Sequence, residues 1–440
     1  MKHKVLLLTL FSFAVHSLLG QQNVSVEEAV AMAVQKNYDV RLFQNTATSA
    51  YNDNRYKFGA FLPFINGTGN YLLITNNSKN VNFKDEERVF NTAQSTAMNG
   101  GVQLTWTLFD GTKMFATRKR IIELAELGEL NVRNQMMNTA ANVMVTYYNI
   151  VRQKQQLKAI LEQMSVSEER VKLAERKLQV GTGGKPELLQ AKVDLNAFRT
   201  AKLQQETLIQ QLKDQLNGLL GMGLPDSYDI GDTIPINKDL TFAQIATDIE
   251  TTNRQLVAQK KNIEVFSQIV KENKAGRSPI INFVSNLNAL NRTANQVEVT
   301  PGVTQKFIQN QGYNYGGTIS IPIMNGMNVN RLVNQSKINL ERQRIIYDQQ
   351  LTLALVGVRN AFVNYDNAKQ ALLIEEENIL LARENVTIAF EGFKRGIATF
   401  IELRTAQQSL ADAYNRLIAA RYLAKVSETE LLRLKGSLLN

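Results

Sequence analysis

Between Val102 and Gly111 the chain alternates strictly. Val102, Leu104, Trp106 and Leu108 fall on one side, Gln103, Thr105 and Thr107 on the other, and the run breaks at Asp110-Gly111. A second run behaves alike: Tyr313, Tyr315, Ile319, Ile321 and Ile323 oppose Asn314, Thr318 and Ser320, with a break at Asn325-Gly326. Period two with one wet face predicts half-buried strands. Partner strands are expected over about 61–74 and 280–290, with polar stretches at 75–99 and 291–312 between the members of each pair. A helix is expected ahead of each pair, over about 26–58 and 242–273.

After each Xaa-Gly break the pattern becomes helical. Residues 112–180 contain no proline. At a rise of about 1.5 Å per residue such a stretch makes a rod of about 100 Å. Leu157, Met164, Val171 and Leu178 recur every seven residues, the sign of helices winding on neighbours. Gly181 ends the rod, because glycine takes the left-handed conformation cheaply, and Pro186 suits the first turn of a returning helix that runs to about Leu220. Residues 327–396 and the return to Lys435 repeat the plan.

The repetition has a fixed period. A shift of 215 carries Gly181 onto Gly396, Glu187 onto Glu402, Ala191 onto Ala406 and Asp110-Gly111 onto Asn325-Gly326. It also carries the heptad residues onto Leu372, Ile379, Val386 and Phe393; a shift one larger pairs Asn37 with Asn253. The expected organisation is a leader at 1–20, a first repeat at 21–221, a Pro/Gly/Asp-bearing linker at 222–240 and a second repeat at 241–440.

Composition narrows the chemistry. Lys2 and Lys4 followed by the apolar run Val5–Val15 read as a secretory signal peptide, with cleavage placed after Gly20. There is no cysteine, and the two histidines, His3 and His16, lie in that leader. Ser-His-Asp and Cys-His catalysis, disulfides and histidine metal sites are therefore excluded from the mature chain, and no enzyme, cofactor or metal centre is expected. The charge of +10 is spread along helices beside Asp and Glu, which argues against nucleic acid. Beyond the leader no apolar run is long enough for a membrane helix, which leaves a β-barrel as the way to span a bilayer. Two strands per repeat give four. A bilayer tolerates no open sheet edge, and single-chain barrels start at about eight strands, so copies of the chain must share a barrel.

In these features the chain resembles the TolC-like outer-membrane efflux protein family. The resemblance is carried by the duplication, by Pro322-Ile323-Met324-Asn325-Gly326 and its looser partner Thr107-Leu108-Phe109-Asp110-Gly111, and by the glycine turns followed by Glu187 and Glu402. It implies a helix-dominated fold with a membrane β-barrel. Each chain of a homotrimer would give four strands to a shared twelve-stranded barrel and long antiparallel helices to a periplasmic α-helical barrel. It also implies a passive outer-membrane exit duct of a tripartite efflux or type I secretion system, served by a periplasmic adaptor and an inner-membrane transporter. Gly181, Thr182, Gly183, Gly184, Gly396, Ile397 and Ala398 would then form the tips that meet the adaptor. Glu187, Glu402, Arg404 and Thr405 become candidates for the pore constriction. Val102, Leu104, Trp106, Leu108, Ile319 and Ile321 would face outer-membrane lipid. The rival readings are a periplasmic adaptor, a coiled-coil protein of the envelope and, third, an enzyme that uses carboxylates alone. The cargo stays open.

Overall fold

The computed structural model describes residues 22–81, 83–84, 87–225, 228–294 and 307–439. The expected leader lies outside them. In chain order the elements are β1 (Gln22–Val24), α1 (Val26–Lys36), α2 (Tyr38–Arg55), β2 (Phe64–Val81), β3 (Glu87–Phe109), α3 (Lys113–Gln179), α4 (Lys185–Leu219), β4 (Tyr228–Ile230), α5 (Phe242–Ala246), α6 (Ile249–Thr252), α7 (Arg254–Ala275), β5 (Ile280–Ala294), β6 (Phe307–Ser320), α8 (Asn328–Lys394) and α9 (Phe400–Lys435). Among the described residues no helix is long and apolar enough to cross a membrane. The chain divides into two compact units, one of residues 49–126 and 261–345, the other of the remainder.

The smaller unit is built on a four-stranded antiparallel sheet in the order β2-β3-β5-β6. Its strands are longer than the alternation alone suggested. β2 runs to Val81 and β3 starts at Glu87, so most of the polar stretch 75–99 is strand. Ladder hydrogen bonds come from the backbone, and polar side chains on both faces leave no alternation to read. Residues 295–306 of the second polar stretch lie outside the described residues. β6 stops at Ser320, paired with Ile280, so Ile321 and Ile323 are not strand residues as expected. Pro279 and Pro322 flank that last pair, and neither has an N–H to extend the ladder. Leu108 also leaves the expected row. The register steps from Thr107↔Asn282 to Phe109↔Ile281, so Leu108 is the unpaired residue of a bulge.

The larger unit is helical. Its first core joins Ala29 and Ala33 of α1, Val143, Tyr147 and Ile150 of α3, and Leu216 and Leu220 of α4 and its end. β1 and β4 close it as a short parallel pair, Val24 beside Ile230. The stretch 222–240, expected as a plain linker, thus carries a strand with Tyr228 and Ile230 buried. A second core joins Ile245, Ile249 and Leu256 to Val358, Tyr365, Leu431 and Leu434.

The short helices break where a continuous helix was expected. Asn37 ends α1: its Oδ1 accepts from the Asp39 and Val40 N–H groups, and its Nδ2 donates to the Leu219 carbonyl at 2.9 Å. Asn253 does the same ahead of α7. Its Oδ1 accepts from the Leu256 N–H at 3.1 Å and its Nδ2 donates to the Leu434 carbonyl at 2.9 Å. Each bond fills an orphan carbonyl at the end of a returning helix. Gly221 and Gly436 follow those helix ends at φ of +68° and +78°. A Cβ on Gly221 would stand 2.7 Å from the Lys36 carbonyl oxygen, and one on Gly436 would press closer still on that of Thr252. Only glycine fits either place.

Candidate functional site: the helical tips and the strand sheet

Each tip is a glycine turn with one hydrogen-bond pattern. The Lys177 carbonyl accepts from Thr182 N–H at 2.9 Å and Gly183 N–H at 3.0 Å. The Gly392 carbonyl accepts from Ile397 N–H at 2.9 Å and Ala398 N–H at 3.2 Å. Gly181 and Gly396 take φ of +79° and +76°. This is the left-handed C′ position that caps a helix through such backward bonds. Thr182, Gly184 and Ile397 are exposed.

The two glutamates singled out from the sequence differ in their duties. Glu402 belongs to a capping box. Its Oε2 accepts from the Thr399 N–H at 2.6 Å, while the Thr399 hydroxyl accepts from the Glu402 N–H at 3.2 Å. These bonds hold its carboxyl below the ordinary carboxylate range. Glu187 sits at the third position of α4, but the cap there is Gly184, which has no side chain to answer it. One oxygen of Glu187 is buried and has no hydrogen-bond partner. Arg404 is exposed and lies 3.6 Å from Asp194; Thr405 is exposed and returns its hydroxyl to the Ile401 carbonyl at 3.0 Å.

The structure adds a residue that sequence reasoning missed. Arg170 is 2% exposed. Its Nη2 donates to Asp194 Oδ2 at 2.6 Å, its Nη1 to Gln407 Oε1 at 2.9 Å, and its guanidinium lies 5.1 Å from the centre of the Phe400 ring. Burial pulls its pKa below the usual arginine value, and Asp194 works against that shift. The guanidinium therefore ties α3 and α4 of one hairpin to α9 of the other. Near it Lys177 stands 3.8 Å from the Phe393 ring centre. This cation–ring contact is a second link between hairpins. The chain holds 50 lysines and arginines, and nothing local in sequence marked these two.

On the sheet the ladder sorts side chains into two faces. One carries Ile65, Leu104, Val102, Trp106, Leu287, Tyr313, Tyr315 and Ile319 in adjoining register positions. Most of these are exposed in the single chain, Leu104 being half-buried. Trp106 Nε1 donates to the Phe61 carbonyl at 2.9 Å. The other face carries amides. Asn66, Gln103, Asn286 and Asn314 stand in one continuous row across all four strands, and Asn286 Nδ2 donates to Asn314 Oδ1 at 3.0 Å. One apolar face and one amide face suit a sheet with lipid on one side and water on the other. β2 and β6 have no strand partner on their outer edges among the described residues.

The family model for outer membrane efflux proteins matches residues 44–222 and 246–437. The chain belongs to the outer membrane efflux protein family. Outer membrane efflux protein BepC of Brucella suis is 23% identical over 352 residues, covering 76% of this chain and 71% of that protein. Outer membrane protein TolC of Escherichia coli is 18% identical, covering 79% and 71%. Among solved structures, the Campylobacter jejuni CmeC outer membrane channel superposes with a TM-score of 0.77 at 17% identity, over 96% of this chain and 90% of that one. VceC of Vibrio cholerae gives 0.74 at 14% identity, over 93% and 96%. The fold is that of this outer membrane efflux family, a family of transport ducts rather than enzymes. The protein is an outer-membrane export channel.

Proposed function

We propose that the chain is two copies of one unit and that three chains close a twelve-stranded barrel, with their helices forming a second barrel in the periplasm. Such a duct passively conducts small toxic molecules or polypeptides delivered by a periplasmic adaptor and an inner-membrane transporter. The carrying observation is the four-stranded sheet, apolar on one face and amide-rich on the other, with β2 and β6 both lacking outer partners among the described residues. In hydrocarbon each unpaired backbone group costs several kcal/mol, so the edges must meet other copies.

A pair of glycines supports the same closure. Gly111, at φ +72°, has the end of α7 pressed on it; a Cβ there would collide with the Ser278 Cβ. Gly326, at φ +60°, has nothing within 4 Å. In a ring, β6 pairs with the β2 of the next copy, and residues 59–62 of that copy come to the place that 275–278 hold beside Gly111. The tips at 181–184 and 396–398 are assigned to the adaptor. Of the acidic candidates Glu187 is assigned to the constriction, because the Glu402 carboxylate is already engaged by its cap.

The chain has no cysteine, so paired thiols test the ring cleanly. Leu62→Cys with Met324→Cys should give covalent dimers and trimers in outer-membrane extracts, and neither change alone should. Unheated wild-type protein should migrate as a trimer and conduct ions in planar bilayers. A monomeric, non-conducting protein that yields no cross-linked ladder ends the proposal.

A further inference from the structure

We infer that the junction of β3-α3 with α7-β5 binds the phosphate of an anionic phospholipid headgroup; this rests on the outer-membrane channel reading above. A cavity of about 490 Å³ lies between the start of α3 and the end of α7. That volume is within the size range of small-molecule sites. Lys119 from α3 and Lys271 and Lys274 from α7 line it, with the buried amide of Gln268 and the ring of Phe115. Among the described residues Lys271 and Lys274 have no carboxylate within 4.0 Å. Lys119 stands 3.9 Å from Glu123, and that carboxylate is already held by Lys261 at 2.7 Å. Three lysines thus line one cavity, and the neighbouring carboxylates Glu123 and Glu272 are engaged by Lys261 and Arg120. A lysine at the end of α7 would favour the helix dipole, which accounts for Lys274 but not for Lys119 at the start of another helix.

The neighbourhood says which anion. Phe115 packs edge-on against Phe61 at 5.2 Å, and the Phe61 carbonyl accepts from Trp106 on the apolar face of the sheet. Arg118 lies over the Phe58 ring at 4.5 Å. Aromatic rings beside cations where strands end mark a bilayer–water boundary, the depth at which headgroup phosphates sit. Ammonium groups bind phosphate as point charges, and at that depth they are only partly screened. Gly111 shapes the floor, since a Cβ there would collide with Ser278 and the Ala275 carbonyl. The lining ends at Gly111 and Ser278, just beyond the ends of the two inner strands β3 and β5, so pairing of copies through β2 and β6 leaves the cavity open.

The purified assembly in detergent is mixed with phosphatidylglycerol or with phosphatidylcholine of the same acyl chains, and retained lipid is counted by native mass spectrometry. Wild-type protein should keep phosphatidylglycerol about tenfold better. Lys119→Ala/Lys271→Ala/Lys274→Ala should fall to the phosphatidylcholine level, and the triple Lys→Arg variant should keep the preference. Equal retention of both lipids, or an alanine variant that behaves as wild type, overturns the assignment. Inorganic phosphate that displaces phosphatidylglycerol completely also overturns it, in favour of a free-anion site. The unheated gel band and the conductance are read on every variant, so lost retention with both intact is a property of the pocket and not of the duct.

Discussion

Gly392 and Ala398 approach so closely that a side chain on both would crowd the turn. A Cβ on Gly392 would stand 3.0 Å from the Ala398 Cβ. In the other tip the assignment is reversed: Lys177 carries the side chain, and a Cβ on Gly183 would stand 2.8 Å from its Cβ. Both tips meet one steric rule from opposite partners.

Gly392→Ala should therefore strain the second tip by about 1–3 kcal/mol, the usual cost of overpacking. Adding Ala398→Gly should return most of it, a coupling characteristic of residues in contact. Trypsin cleavage after Lys394 and Arg395 reads the local opening. The single variant should be cut faster and the double variant near the wild-type rate; equal rates for the two variants would refute the steric account.

Asp194→Ala leaves the Arg170 guanidinium buried without its carboxylate. Breaking one side of such a pair costs about 3–5 kcal/mol. Arg170→Met keeps an apolar body against Phe400 and leaves Asp194 within reach of Arg404, so it should cost less. The expected order of heat stability, read as the temperature at which the assembly dissociates on gels, is wild type, then Arg170→Met, then Asp194→Ala.

Asn37→Ala and Asn253→Ala each remove an amide that caps one helix and fills a carbonyl of another. Each should lower stability by about 1–3 kcal/mol, as expected when a buried acceptor loses its donor. The same changes to aspartate keep the accepting oxygen but lose the donor to Leu219 or Leu434, so partial rescue is expected in the same gel assay.

Stability should barely change across neutral pH. Burial disfavours both charges of the Lys154 cluster, but hydrogen bonding to Asp232 and Asp229 outweighs it. The Lys154 ammonium titrates above its ordinary 10.5 and the Asp229 carboxyl below its ordinary 3.8. The Asp229 contribution is full above its unfolded value and is lost as pH falls through the lowered folded one. The Lys154 contribution is full below its unfolded value and is lost as pH rises through the raised one. No histidine follows residue 16 to titrate between them. Denaturation midpoints between about pH 5 and 9 should agree, with losses only at the two extremes.

The parts that sequence disclosed are those with a local signature. Gly181 and Gly396 announce themselves because the left-handed turn admits little else, and Trp106 and Tyr313 because alternation needs only neighbours. Contacts made across the chain leave no such trace. Asn37 bonds a carbonyl 182 positions away, and Arg170 finds Gln407 at a separation of 237. The far ends of β2 and β3 went unread because polar strands alternate nothing. Leu108 and Ile321 were misplaced because a bulge and a proline shift the count without altering the pattern around them.

Asn66, Gln103, Asn286 and Asn314 hold no formal charge, and every carboxamide can both give and accept a proton in a hydrogen bond. If the sheet closes on sister copies as proposed, a solute moving along that row would trade its hydration for amide contacts of either polarity. In the proposed duct that row would neither repel nor trap a solute by sign, and the charge met on the same face would be that of Arg292, three same-face positions beyond Asn286.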